Sequence, residues 1–233
     1  MSKHYLIIGG STGIGLQLVR NLSSEGHEVT VLSRNEGELT NVTNINHMVY
    51  DVTSDELPDL SMEKLDGFVY CPGSINLKPF HRLKPSDFVD DFQLNVIGGI
   101  KVLQHILPAL KKAENPSIVF FSTVAVQQGM GFHSSIAASK GAIEGLTKSL
   151  AAEFAPKIRV NCIAPSVTDT PLAERLLSTD EKKEASGKRH ALNRVGTPED
   201  IAHMASFLLS PKSGWMTGQI LGVDGGMSTL RSI

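Results

Sequence analysis

Residues 5–15 read Tyr-Leu-Ile-Ile-Gly-Gly-Ser-Thr-Gly-Ile-Gly, an apolar run passing directly into a glycine-rich turn. The chemistry such a turn offers is anion binding. Gly9 permits a tight turn, and Gly13 and Gly15 let backbone and helix approach a pyrophosphate closely. The N–H groups of Ser11, Thr12 and Ile14, at the mouth of the following helix, then face the phosphates. The spacing alone is also that of a plain strand–turn–helix. Its place after an apolar strand, opening a βαβ unit, assigns it to a dinucleotide.

Which dinucleotide is read from the end of the second strand. An NAD site carries an acid about 20 residues past the glycines, where it holds the ribose 2′-hydroxyl. Here the position is Ser33, followed by Arg34. A hydroxyl and a guanidinium fork suit a 2′-phosphate, so NADP(H) is expected over NAD(H). Arg34 also reads as a surface arginine after a strand. Asp51, before Val52, either accepts from the adenine amino group or closes a turn.

These residues need a scaffold, and the chain supplies one by alternation. Apolar runs at 4–9, 28–33, 46–51, 66–71, 117–122, 158–163 and 219–222 predict strands buried on both faces. Helices are predicted near 14–25, 85–112, 134–155 and 198–209. Pro108 is expected to kink or shorten the second of these. Thr197-Pro198-Glu199-Asp200 is a helix start, with a cap, a proline at the first position and acids in the first turn. The alternation predicts an α/β, Rossmann-type doubly wound sheet of about seven parallel strands with helices on both faces. The chain reads as one domain, 1–233, with a charged, mobile excursion at about 170–194.

Composition narrows the function. The net charge is −2, and 41% of residues are hydrophobic. This gives no electrostatic case for nucleic acid or an anionic membrane surface, and no apolar run is long enough to span a bilayer. Met1-Ser2-Lys3-His4 leads straight into the first strand, so no signal peptide is expected. Cys71 and Cys162 lie in apolar runs without metal-ligand spacing, as expected of reduced thiols in a cytoplasmic protein that holds no metal.

With later motifs, these residues resemble the short-chain dehydrogenase/reductase family in its single-domain form. The marks are Gly9-x-x-x-Gly13-x-Gly15, Asp51-Val52, Leu94-Asn95-Val96-x-Gly98, Ser139-Lys140-Gly141-Ala142, Ile158-Arg159-Val160-Asn161, Pro165, Arg194-x-Gly196-x-Pro198-Glu199-Asp200 and Val223-Asp224-Gly225-Gly226. The resemblance implies seven parallel strands with three helices on each face, nicotinamide-dependent hydride transfer and a homodimer or homotetramer. It implies that Lys140 binds the nicotinamide ribose and that Asn95 supports a water chain. Thr123, with Ser122 beside it, stands where a serine holds the substrate oxygen. Pro165, Val167, Thr168 and Thr170 would lie against the nicotinamide, and Cys71-Pro72-Gly73 under the cofactor where Asn-Ala-Gly is usual.

One departure dominates. The position of the proton-transferring tyrosine, four before Lys140, is Ile136, which has no acid, base or donor. His133 is the first candidate replacement, since imidazole exchanges protons near neutral pH. Residues 133, 136, 137 and 140 share one helix face. His133 also reads as a helix-entry residue beside a Ser134 or Ser135 cap. A reaction finished by water is a third route. Lys182, Lys183, Lys188 and Arg189 would either meet an acidic substrate or form a solvated helix face. Trp215 and Met216 suit a subunit contact. The expected function is an NADP(H)-dependent oxidoreductase acting on a small carbonyl, alcohol or activated double bond, with a non-standard proton donor. The competing expectation is an inactive nucleotide-binding sensor or partner subunit.

Overall fold

Seven runs of β-branched and aromatic residues pair in parallel, in the order β3-β2-β1-β4-β5-β6-β7. They are β1 His4–Ile8, β2 Glu28–Ser33, β3 Ile45–Val49, β4 Gly67–Tyr70, β5 Ser117–Phe121, β6 Arg159–Pro165 and β7 Ile220–Val223. The structure is a computed structural model describing residues 2–54 and 56–230; Met1 lies outside them. Strand alternation divides the core. Leu6, Ile8, Phe68, Tyr70, Ile118 and Phe120 face one layer, while Tyr5, Ile7, Val69 and Val119 face the other. Each such side chain contributes about 1.5–3 kcal/mol by burial.

Helix α1, Gly13–Ser24, and helix α7, Pro198–Leu209, cover the second layer. The first layer carries α2, Pro85–Phe92, with α3, Gly98–Lys112, and α5, Ser134–Phe154. A single turn, α4, spans Ala125–Gln128, and α6 spans Asp180–Gly187 inside the excursion. The implied three helices per face are not present. A short 3₁₀ turn, Gly37–Asn41, is the helical structure between β2 and β3, and the described residues between β3 and β4 form no helix. That link carries Pro58, and its Leu57, Leu60, Met62 and Leu65 pack straight onto the core.

The helical run expected at 85–112 is present from Pro85 to Lys112, and α3 accommodates Pro108. Between α2 and α3 it passes through a π turn at Gln93–Ile97. Side-chain donors accompany it: the Tyr70 hydroxyl, from β4, donates to Leu94 O at 2.6 Å, and Asn95 Nδ2, within the run, donates to Asp91 O at 2.7 Å. Side chains thus satisfy carbonyls that a continuous α-helix would use.

Several of the sequence marks are structural. Arg159 ties β6 to the end of α7 through Leu208 O and Ser210 O. Asn161 bonds Met216 O and Gln219 N, joining β6 to the approach to β7. Thr197 and Asp200 form a capping box on α7, and a bidentate Arg194 holds the Asp200 carboxyl well below its usual range.

Candidate functional site at the carboxyl edge of the sheet

The strand order reverses at β1 and β4, which leaves a crevice beyond their carboxyl ends. The glycine turn forms one bank. Gly9 and Gly13 take φ of +77° and +55°, conformations that side chains resist. A Cβ on Gly15 would lie 2.2 Å from Gly9 O, so helix and turn meet at backbone contact distance. Thr12 is the N-cap of α1 but provides no side-chain cap, leaving the first-turn N–H groups open to an anion. A glycine-lined cradle with uncapped N–H donors fits a dinucleotide pyrophosphate. Pro72 packs against Gly9, a Cβ at which would stand 3.2 Å from Pro72 Cδ.

Two of the expected contact residues have partners within the chain. Ser33 is buried, and its hydroxyl is engaged with Asn35 O at 2.7 Å and His47 Nε2 at 2.8 Å, so it has no proton left for a 2′-phosphate. Arg34 stays exposed, beside a loop that Gly37 presses onto Ser11 O. Asp51 closes a turn through one carboxylate oxygen. Its Oδ1 accepts from Thr53 N and Thr53 Oγ1, and the first of these bonds leads in lowering the carboxyl's pKa. Val52 is buried against Gly98.

Beyond the glycine turn lies a cavity of about 320 Å³. Its lining includes Ile14, Thr123, His133, Ile136, Lys140 and Thr170, from elements far apart in the chain. Cys71, Gly73, Pro165, Val167 and Thr168 also line it. Lys140 is buried, and its Nζ donates to Phe121 O at 2.9 Å. Burial pulls the ammonium down to about 8, opposed by Cys162, Cys71 and Asp91. Burial also pushes the Cys71 thiol up to about 12, which leaves it an inert neighbour at neutral pH.

Lys140 therefore costs the fold stability that function requires. Between about 8 and the ordinary 10.5 the unfolded chain holds a proton that the folded chain has lost. Its contribution to stability thus rises with pH across that window. Lys140→Met is expected to stabilise the coenzyme-free protein at pH 7 by roughly 1–3 kcal/mol. Melting curves at pH 7 and 9.5 should show that advantage shrinking; a constant gap would contradict the buried ammonium.

Asn95 is fully buried, and its Oδ1 has no hydrogen-bond partner among the described residues. A Cβ on Gly73 would lie 3.4 Å from both that atom and Lys140 Nζ, so the two converge beside Gly73. The Lys140 ammonium lines the cavity and fits a ribose hydroxyl, while Asn95, fully buried behind it, suits a bridging water. Two residues missed in the sequence stand behind them. Ser74 Oγ receives Asn95 Nδ2 at 3.1 Å and donates to the buried Asp91 at 2.5 Å. The four-residue step from Asp91 to Asn95 on a helix was the available signal.

Thr123 and Ser122 separate clearly. Ser122 spends its proton on the buried Glu144 at 2.6 Å. Thr123 Oγ1 accepts from Ala125 N at 3.3 Å and keeps its own proton available to the cavity. His133 occupies the N-cap position of α5, where neither Ser134 nor Ser135 caps; Ser135 Oγ is buried without a partner. The His133 Nδ1 lies 2.6 Å from Gly131 O, which makes it the donor nitrogen and turns Nε2 free. Phe132, immediately before, holds a left-handed φ of 68°, strain that fixes the turn presenting the imidazole.

The basic residues of the excursion divide. Lys183 pairs with Asp169, Lys188 pairs with Glu184 along α6, and Lys182 bonds Ser178, so these serve the helix surface. Arg189 lines the cavity. Trp215 is fully exposed, while Met216 packs on the core. No helix among the described residues is long and apolar enough to cross a membrane.

Comparison with known proteins agrees with this geometry. A family model described as enoyl-(acyl carrier protein) reductase matches residues 9–228. A tropinone reductase homologue of Arabidopsis thaliana is 34% identical, covering 97% of this chain and 92% of its own. The ligand-free aldohexose dehydrogenase of Thermoplasma acidophilum superposes with a TM-score of 0.89 at 28% identity, over 100% of this chain and 96% of its own. ElxO with NADP bound superposes with a TM-score of 0.85 at 26% identity, over 99% and 100% of the two chains. With a seven-stranded parallel sheet, a glycine turn open to phosphate and relatives that are reductases and dehydrogenases, the chain belongs to the short-chain dehydrogenase/reductase family of oxidoreductases.

Proposed function

We propose that the protein is an NADP(H)-dependent oxidoreductase that reduces or oxidises a small carbonyl, alcohol or activated double bond, with His133 in the proton-transfer role. The observation that carries this reading is one cavity wall joining Ile14, from the first turn of α1, to Thr123, His133 and Lys140. When bound, a nicotinamide coenzyme supplies or accepts the hydride. The Gly9–Gly15 turn and the N-terminus of α1 hold its pyrophosphate, and Arg34 its 2′-phosphate. Lys140 binds the nicotinamide ribose, with Asn95 Oδ1 behind it supporting a water chain, and the segment from Pro165 to Thr170 flanks the ring. Thr123 donates to the substrate oxygen. His133, as imidazolium with Nδ1–H on Gly131 O, delivers a proton from Nε2. The NADP-bound structural neighbour supports the choice of coenzyme.

The coenzyme assignment is tested by fluorescence titration. NADPH is expected to bind at least about tenfold more tightly than NADH, as one charge-assisted phosphate contact allows. Arg34→Ala should bring the two affinities together. Equal affinities in the unaltered protein would overturn the assignment.

The buried, apolar Ile136 favours a second reading, nucleotide binding without turnover. NADPH consumption across aldehydes, ketones, quinones and enones separates the two, since the second predicts tight binding with no consumption. The first reading also places a reduced-thiol protein in the cytoplasm, as a homodimer or homotetramer. Exposed Val89, Phe92 and Trp215 support the assembly.

A further inference from the structure

We propose that the cavity selects small apolar substrates ending in a carboxylate, and that Arg189 receives that carboxylate. This deepens the reading above, since it takes the cavity to be the substrate site. Its walls are apolar, with Ile75, Leu77, Met130, Leu172 and Leu176 among the lining side chains. Among the described residues no aspartate or glutamate lines it, and the lysine and arginine that do are Lys140 and Arg189. The buried carboxyls of Asp91 and Glu144 stand behind Ser74 and Ser122 at the Lys140 end, so Arg189 is the lining cation that an entering anion meets without a paired carboxylate among the described residues.

The two cations are not equivalent. Lys140 is buried and held by Phe121 O. Arg189 is exposed and makes no ion pair among the described residues, unlike its neighbours Lys183 and Lys188. Its backbone is nevertheless fixed. Arg189 N donates to Ser186 O, and the next residue, His190, is almost fully buried. The His190 ring is clamped between Ser186 O and Ser166 Oγ, each at 2.8 Å. Ser166 follows β6 and itself lines the cavity. This clamp fastens the excursion to the floor and holds the root of Arg189 at the cavity wall. A guanidinium fork on a fixed root accepts a carboxylate through two parallel hydrogen bonds, and in doing so selects acids over neutral esters or amides.

The test measures ligand binding and needs no turnover. Isothermal titration compares 4-phenylbutyrate with its uncharged amide, 4-phenylbutanamide, on the full chain with and without NADP⁺. The carboxylate is expected to bind at least about tenfold more tightly. Arg189→Ala should erase the preference and Arg189→Glu reverse it, with NADPH affinity unchanged in both. Lys188→Ala, on a residue already paired with Glu184, should keep it. Equal affinity for the two ligands, no binding of the carboxylate at millimolar concentration, or a preference that survives Arg189→Ala overturns the proposal. The parallel NADPH titration keeps the two readings apart. Lost NADPH binding with an intact carboxylate preference defeats the coenzyme assignment alone. Tight NADPH binding without the preference defeats the Arg189 assignment alone.

Discussion

His133→Ala is expected to lower kcat for NADPH-driven carbonyl reduction by about 10²-fold or more, with NADPH affinity unchanged. The magnitude is that of a positioned general acid, and the geometry meets its requirements. His133 lines the cavity that holds Lys140 and Thr123, and Nδ1 is tied to Gly131 O, which leaves Nε2 as the atom that would exchange a proton in the proposed role. The left-handed Phe132 and the bond from Lys78 N to Phe132 O at 3.1 Å hold the turn in place. Removing an imidazole at a helix entry should disturb folding little, so a loss of rate reports chemistry. Rescue makes the test specific. Ile136 also lines the cavity, one helical turn before Lys140. The double variant His133→Ala, Ile136→Tyr should recover most of the lost rate, because the phenol meets a cation already drawn down to about 8. An unchanged rate in His133→Ala retires the histidine. Failure of the tyrosine to rescue would show that Ile136 does not face the reacting atoms.

Gly15→Ala is expected to weaken NADPH binding by about 10²-fold or more and to lower Tm as well. A Cβ at this position lies 2.2 Å from Gly9 O, a backbone atom with no rotamer by which to escape. Helix α1 must therefore move off the turn, and the N–H groups that face the pyrophosphate move with it. Losing two or more charge-assisted hydrogen bonds at about 1.5–3 kcal/mol each supplies the effect. Gly26→Ala is the control. Gly26 also has a positive φ, +81°, but a Cβ there meets nothing within 4 Å. It should cost some stability and leave NADPH affinity alone. Fluorescence titration and thermal melting of both variants decide the matter; an unaffected affinity in Gly15→Ala would remove the glycine turn from the binding site.

The strands were legible because their signal is local. An apolar run such as Ser117–Phe121 declares burial on both faces without reference to any other segment. The same holds for the start of α7, where cap, proline and acid sit within four residues. Lys140 was named through the resemblance that Ser139-Lys140-Gly141-Ala142 carries. Other outcomes depended on partners distant in the chain. Ser33 reads as a phosphate ligand until His47, on the next strand, takes its hydroxyl. The helix at 85–112 reads as uniform, and its π turn sits where Tyr70, from β4, reaches Leu94 O. Ser122 and Thr123 look interchangeable until Glu144 claims the first.

What the amino-acid order determined alone, then, is the alternation of strand and helix, the phosphate-binding turn and the absence of a phenol at residue 136. Only the folded chain decided that Lys140 is buried enough to lose its proton near pH 8, that Asn95 Oδ1 lacks a donor among the described residues, and that Arg189 alone of its basic cluster reaches the cavity. Periodicity and turn geometry are set by neighbours a few residues apart. Desolvation and hydrogen-bond competition are set by whatever the sheet brings within a few ångströms, and distance along the chain does not report that.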